Sequence, residues 1–250
     1  MTSAPEELVE VAPPAEDAPD WLPWLGLVGA VGAGTLVVLS IRTGGSAWPV
    51  DRTVHAWVLD HRGRVDLAVA SVVTWLGATT VVIPVLAVVG AALPRGRRGV
   101  RNRVGAGVLL VGTASLGIWI GLLVNHAVGR ERPPLGDWWG AAGGPAFPSG
   151  HTTAATIAAG TVAWAVSERV RSRRGRVVVW SSAVLVAALV GWSRTWLGVH
   201  WPSDVVSGWL LGASWLALVV SAVAMAEKRL RRRASRTSGG GTRPVLATRR

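Results

Sequence analysis

Six apolar runs, each near the length that crosses a bilayer, divide this chain and confine most of its charge to the gaps between them. A hydrocarbon core about 30 Å thick takes about 20 helical residues. Trp21 to Ile41 is apolar and uncharged over that length. Leu67 to Leu93 follows, with Pro84 as the expected point of a kink, and then Val104 to Val128, glycine-rich in a way that suits close helix packing. Gly150 to Val166, Val177 to Trp192 and Val205 to Ala226 complete the set. The expected fold class is all-α: a polytopic membrane protein of six transmembrane helices. Mean hydropathy of +0.40 over 250 residues agrees, being high for a soluble domain of this size.

The segments outside the runs read differently. Residues 1–20 hold six carboxylates and several prolines, cannot bury a core, and are expected to be a disordered acidic tail. They do not resemble the basic start of a secretory signal. Residues 21–227 form the six-helix domain. Residues 228–250 are expected to be a basic, disordered C-terminal tail. Between the first two runs, Trp48 to Arg64 is mixed, with Val50, Val54, Trp57 and Val58 at helical spacing. A short amphipathic helix lying in the membrane interface fits this stretch, and so does an ordinary loop.

Net charge is +12, with arginine supplying all but one of the basic residues. A nucleic-acid partner is the usual implication of such a balance. Here the arginines group between apolar runs instead of along one soluble face, so no nucleic-acid binding is expected. Their placement sets a topology instead. With the N-terminus inside, the second-to-third loop holds five basic residues, the fourth-to-fifth loop five and the C-terminal tail nine, against seven in the three opposite loops. The positive-inside rule then puts both termini in the cytoplasm. Trp48, Trp138, Trp139, Trp196 and Trp201 fall on the other side, as an aromatic belt would. The chain has no cysteine, which excludes disulfides and thiolate metal sites.

That topology gathers three polar clusters at one membrane face. Ser193 to Asp204 carries Arg194, His200 and Asp204. Asp204, four residues after His200, is near enough to accept the Nδ1 proton and leave Nε2 free to attack phosphorus. An interfacial Arg194–Asp204 ion pair is the simpler alternative. Pro148-Ser149-Gly150-His151 opens the fourth helix. Ser149 suits an N-cap, Gly150 lets a ligand approach the backbone, and exposed amides make such a terminus an anion site. His151 would stand beside a bound phosphate and could protonate a leaving oxygen, though taken alone the turn reads first as a plain helix start with an interfacial histidine. Asn125 to Pro133 brings Arg130 and Arg132, suited to bidentate phosphate contacts or to simple snorkelling.

Together the clusters resemble the type 2 phosphatidic acid phosphatase superfamily, which joins membrane phosphatases to vanadium haloperoxidases. Its three motifs are KxxxxxxRP, PSGH and SRxxxxxHxxxD. The second is intact at Pro148–His151 and the third at Ser193–Asp204, while the first keeps Arg132-Pro133 but has Asn125 in place of lysine. The resemblance covers roughly Leu67 to Ala226 and implies a phosphatase core. It implies His200 as the nucleophile that forms a phosphohistidine, Asp204 as its orienting carboxylate, and His151 as the acid and then the base. Arg132, Arg194, Ser149 and the Gly150 amide would hold the phosphoryl oxygens, with Arg130 and Asn125 beside them. No metal or other cofactor is implied, since arginines and a helix terminus already supply charge stabilisation. Asparagine for lysine removes a charge-assisted contact worth on the order of 1.5–3 kcal/mol of phosphate binding, and Arg130 is the candidate to compensate. His55, His61 and His126 are expected to be non-catalytic.

The implied substrate is a lipid phosphate or diphosphate, such as polyprenyl diphosphate, phosphatidic acid or phosphatidylglycerol phosphate. The site would face the extracytoplasmic leaflet of the cell membrane, with membrane lipids as the surroundings. A lipid phosphotransferase and a non-catalytic lipid-binding or transport protein are the rival readings. A haloperoxidase is disfavoured because that branch is soluble. The sequence does not set an oligomeric state.

Overall fold

The computed structural model describes residues 22–92 and 100–238, and every regular element among them is helical. In order these are α1 (Leu22–Arg42), α2 (Pro49–His61), α3 (Arg64–Val73), α4 (Thr79–Ala92), α5 (Val100–Val128), α6 (Gly150–Ser167), α7 (Arg173–Trp196) and α8 (Pro202–Ser238). Short 3-10 turns occupy Thr74–Gly77 and Leu135–Asp137. The N-terminal tail of residues 1–20, the loop arginines Arg95, Arg97 and Arg98, and residues 239–250 lie outside the described residues.

Among the described residues four helices are long and apolar enough to cross a membrane: α1, the Leu110–Val128 part of α5, α7, and the Pro202–Leu230 part of α8. Arg64–Gly77 and Thr79–Ala92 together make a fifth candidate, bent by 51°. The bend is not at Pro84, which sits inside α4. It falls at the 3-10 turn and at Ala78, whose backbone is extended with ψ 133. A proline removes one helical hydrogen bond, whereas an extended residue ends the helix outright. Large apolar side chains cover the outside of these helices, with Trp24, Val28 and Val31 of α1 exposed by 60% or more. Such continuous apolar faces mark a lipid-facing surface, and the chain is a membrane protein.

The fourth apolar run, α6, is the centre of the bundle and not one of the spans picked out by hydropathy. Ten of its 18 residues are buried, mostly Ala and Thr. It packs against α4, α5, α7 and α8, so it presents little surface to lipid and has little need of an apolar exterior. Between helices in lipid, close van der Waals packing replaces the hydrophobic drive. Gly208 and Gly212 of α8 provide it here. A Cβ on Gly208 would lie 2.9 Å from the Ser149 carbonyl oxygen, and one on Gly212 would lie 2.8 Å from Thr156 Cβ. Leu86 and Ile157, both almost fully buried, anchor the apolar core between α4, α5 and α6.

Two helices depart from expectation. α8 does not end at residue 227 but runs on through Lys228 to Ser238. α2 is helical, as one of the two readings of its stretch had it, but the side it packs against the bundle carries Asp51, His55 and Val58. Val50 and Trp57 of its apolar side point outward and are more than half exposed.

The segments after α1, α5 and α7 meet at one end of the bundle. His55 Nε2 lies 3.0 Å from Asp137 Oδ2, Arg62 donates to the Asp137 carbonyl at 2.7 Å, and Trp139 N–H donates to the Leu197 carbonyl at 2.9 Å. All three sequence clusters are thereby brought to the same end.

Candidate active site

His200 stands on the short link between α7 and α8. The link is turned by Gly198, at φ +70, where the Asp137 carbonyl oxygen would fall within bonding distance of any Cβ. No L side chain fits there, which explains glycine two residues before the histidine. Pro202 then begins α8, and Asp204 in its first turn receives the Trp201 N–H at 2.9 Å. That bond, with α-helical spacing, turns Asp204 Oδ2 toward His200 Nδ1 at 3.4 Å. On the other side of the ring, Arg132 Nη1 approaches Nε2 at 2.9 Å. A guanidinium can only donate, so Nε2 is the acceptor and the proton resides on Nδ1, facing the carboxylate. The imidazole is therefore the tautomer with its lone pair on Nε2.

The groups around the imidazole come from three elements. Arg132, from the segment after α5, donates to the Val199 carbonyl at 2.7 Å and to the carbonyls of Gly143, Gly144 and Pro145. Arg194, in the last turn of α7, is 4% exposed. It donates to Thr74 Oγ1 at 2.8 Å, while its Nε has no protein partner. His151 enters from the start of α6. Burial, then the positive charges of Arg194 and Arg132, then His151, push the His200 pKa well below its ordinary 6.5. The Arg132 guanidinium is lowered from its usual value by burial, against the opposing pull of Asp204.

Ser149 and Gly150 form the floor. Ser149 is the N-cap residue of α6, but its side chain makes no capping bond. Its Oγ accepts from Thr152 Oγ1 at 3.0 Å instead, and its N–H donates to the Asp204 carbonyl at 3.0 Å. The first-turn amides of α6 therefore have no capping oxygen, and Gly150 faces open space. Such a terminus accepts an anion.

Two expected phosphate ligands are turned elsewhere. Arg130 is 0% exposed and bonded to two carboxylates, to Asp204 Oδ1 at 2.7 Å and Asp51 Oδ2 at 2.6 Å. Its Nη2 also donates to the Ser46 carbonyl. The ion pair weighed for Arg194 and Asp204 is thus made by Arg130. Asn125 spends its amide N–H groups on the carbonyls of Pro145, at 2.9 Å, and Pro148, at 3.3 Å. It holds the strap before Ser149 and leaves no N–H for a phosphate. Asp51 and Ser203 were not singled out by the sequence. Ser203 Oγ bridges Arg130 and Asp51, and Ser203 N–H donates to Asp51 Oδ1 at 2.9 Å. The Trp48-Pro49-x-Asp51 pattern does signal a helix start, with proline at N1 and a carboxylate at N3.

The chain is similar to known proteins in sequence and in fold. A family model described as the PAP2 superfamily matches residues 105–228. An undecaprenyl-diphosphatase of Sulfolobus acidocaldarius is 36% identical over 78 residues, which is 29% of this chain and 31% of that protein. A phosphatidylglycerophosphatase B of Bacillus subtilis is 30% identical over 142 residues, 56% of this chain and 66% of that protein. Both matches stop short of two thirds of the relative's own length. Among solved structures, the transmembrane PAP2-type phosphatidylglycerolphosphate phosphatase of Bacillus subtilis superposes with a TM-score of 0.67 at 22% identity. It covers 82% of this chain and 97% of its own, and shows that the two share a fold.

Proposed function

We propose that the chain, matched by the PAP2 superfamily model over residues 105–228, is an integral membrane phosphatase of that superfamily acting on a lipid phosphate or diphosphate. The observation that carries this is the commitment of both His200 nitrogens, Nδ1 toward Asp204 and Nε2 toward Arg132. A histidine held as the Nε2 nucleophile, beside a guanidinium that binds phosphate oxygens, is arranged for phosphoryl transfer.

The reaction runs in two displacements. The anionic headgroup takes up hydrogen bonds from Arg132, Arg194 and the α6 amides, with Arg132 exchanging carbonyl partners for phosphoryl oxygens. Nε2 forms a bond to phosphorus as the bond to the leaving oxygen breaks, and protonated His151 gives that oxygen its proton. His200 is now a phosphohistidine that keeps its Nδ1 proton and donates it in a hydrogen bond to Asp204. A water then attacks phosphorus and passes a proton to His151. The P–N bond breaks, its electrons return to Nε2, and inorganic phosphate leaves. Electrostatic stabilisation of the five-coordinate phosphorus comes from the two arginines and the helix terminus.

In this reading α6 is a sixth crossing, and both termini lie in the cytoplasm with the site at the extracytoplasmic face. The apolar side of α2 lies in the interface. A bilayer-embedded site open to one leaflet suits an amphiphile whose phosphate sits at headgroup depth.

The test is phosphate release by the detergent-solubilised protein from dioctanoyl phosphatidic acid, phosphatidylglycerol phosphate and farnesyl diphosphate, with His200→Ala alongside. At least one probe is expected to turn over, with His200→Ala silent. Release by the variant at the wild-type rate, or none by either protein, overturns the proposal.

A further inference from the structure

Behind His200 lies a buried chain of charges that reaches out of the family core to α2. Asp204, Arg130 and Asp51 are each 0% exposed. The Arg130 guanidinium is shared, Nη1 going to Asp204 Oδ1 and Nη2 to Asp51 Oδ2. Trp48 and Phe147 hold its faces, with ring centroids 5.1 and 5.7 Å from Cζ. Asp51 is itself fixed by the N–H groups of Trp48 and Ser203 and by the Ser203 hydroxyl. Two carboxylates thus compete for one cation. Arg130 is the cation beside the carboxylate that His200 Nδ1 needs, and Asp51 fixes where its guanidinium sits. Sharing Arg130 with Asp51 leaves the triad one negative charge in excess, next to an imidazole that becomes cationic on phosphorylation.

We propose that Asp51 of α2 is a positioning residue for the phosphoryl-transfer step: acting through Arg130, it keeps Asp204 oriented behind His200. The inference rests on the phosphatase reading above. In metal sites, outer carboxylates that orient a histidine change activity by about 10–100-fold when removed, and that range sets the scale expected here. A carboxylate that only capped α2 would alter the amount of folded protein, and any effect on turnover would not depend on Asp204.

The experiment is a double-mutant cycle on folded, monodisperse protein with dioctanoyl phosphatidic acid as probe. Asp51→Asn keeps the size of the side chain and removes its charge. It is expected to lower kcat by about 10–100-fold with KM within about threefold of wild type, and Asp51→Glu is expected to recover part of the loss. In an Asp204→Asn background the same substitution should have almost no further effect, because residues acting through one another are not additive. Should Asp51→Asn give no folded protein, Ser203→Ala, which removes the bridging hydroxyl, carries the same test with the same non-additivity. Unchanged kcat, or an equal loss in both backgrounds, overturns the inference. His200→Ala separates the two failures. If it still releases phosphate, the phosphatase reading falls first. If it is silent while Asp51→Asn turns over normally, only the role of Asp51 falls.

Discussion

Neutral His200 is the state that burial and two neighbouring guanidinium groups enforce. In an unfolded chain the same imidazole titrates near 6.5, so below that pH the unfolded form binds more protons than the folded one. The contribution of His200 to stability is therefore flat above about pH 6.5 and is lost as pH falls through the window beneath it. Thermal melts of wild type and His200→Ala in detergent should show this. The wild-type midpoint relative to the variant is expected to decline between pH 7 and pH 5, and a constant difference would contradict it. At this scale the sequence identified His200, Asp204 and Arg194 as a group because they lie within twelve positions of one another. The Arg132-Pro133 motif set Arg132 apart, but nothing in the sequence showed that Arg130 turns away from the site. The two share a side chain and flank one glutamate, yet one is enclosed by carboxylates and the other approaches His200. What divides them is Asp51, 79 residues away in the chain, and periodicity carries no record of such a partner.

Helix against helix, the contact that sets the floor of the site is α6 on α8. Gly208 admits the Ser149 carbonyl, and the Ser149 N–H reaches back to the Asp204 carbonyl. Gly208→Leu should force the two helices apart, at a cost of about 1–3 kcal/mol for overpacking. A melting midpoint lower by several degrees and a kcat loss larger than any KM change are expected. Gly112→Ala, whose added Cβ meets nothing within 4 Å, serves as the control and should match wild type in both. The long apolar runs were readable as helices because length and lack of charge suffice for that. Two elements were not. The bend in the second run depends on a 3-10 turn that wraps Arg194 through Thr74, a contact 120 residues apart, while Pro84 offered the more visible signal. α2 is a helix, one of the two readings its stretch allowed, but the pattern did not indicate that the side turned to the bundle carries Asp51 and His55 along with Val58.

Seen as one body, the molecule places the segments after α1, α5 and α7 at one end and the α6–α7 link at the other. If the extracytoplasmic reading is right, a membrane-impermeant maleimide should label Leu135→Cys in intact cells, since Leu135 is 76% exposed at the site end. Arg171→Cys, exposed on the α6–α7 link, should label only after permeabilisation. The cysteine-free background makes each label unique, and the opposite pattern would invert the topology. The length of α8 adds something that neither site nor bundle requires. At 1.5 Å per residue, its 37 residues make a rod of about 55 Å, against about 30 Å of hydrocarbon. With its first turn fixed at the rim by Asp204, the excess stands clear of the lipid on the far side, so Lys228, Arg229, Arg232 and Arg233 project into the aqueous compartment as a stiff cationic mast.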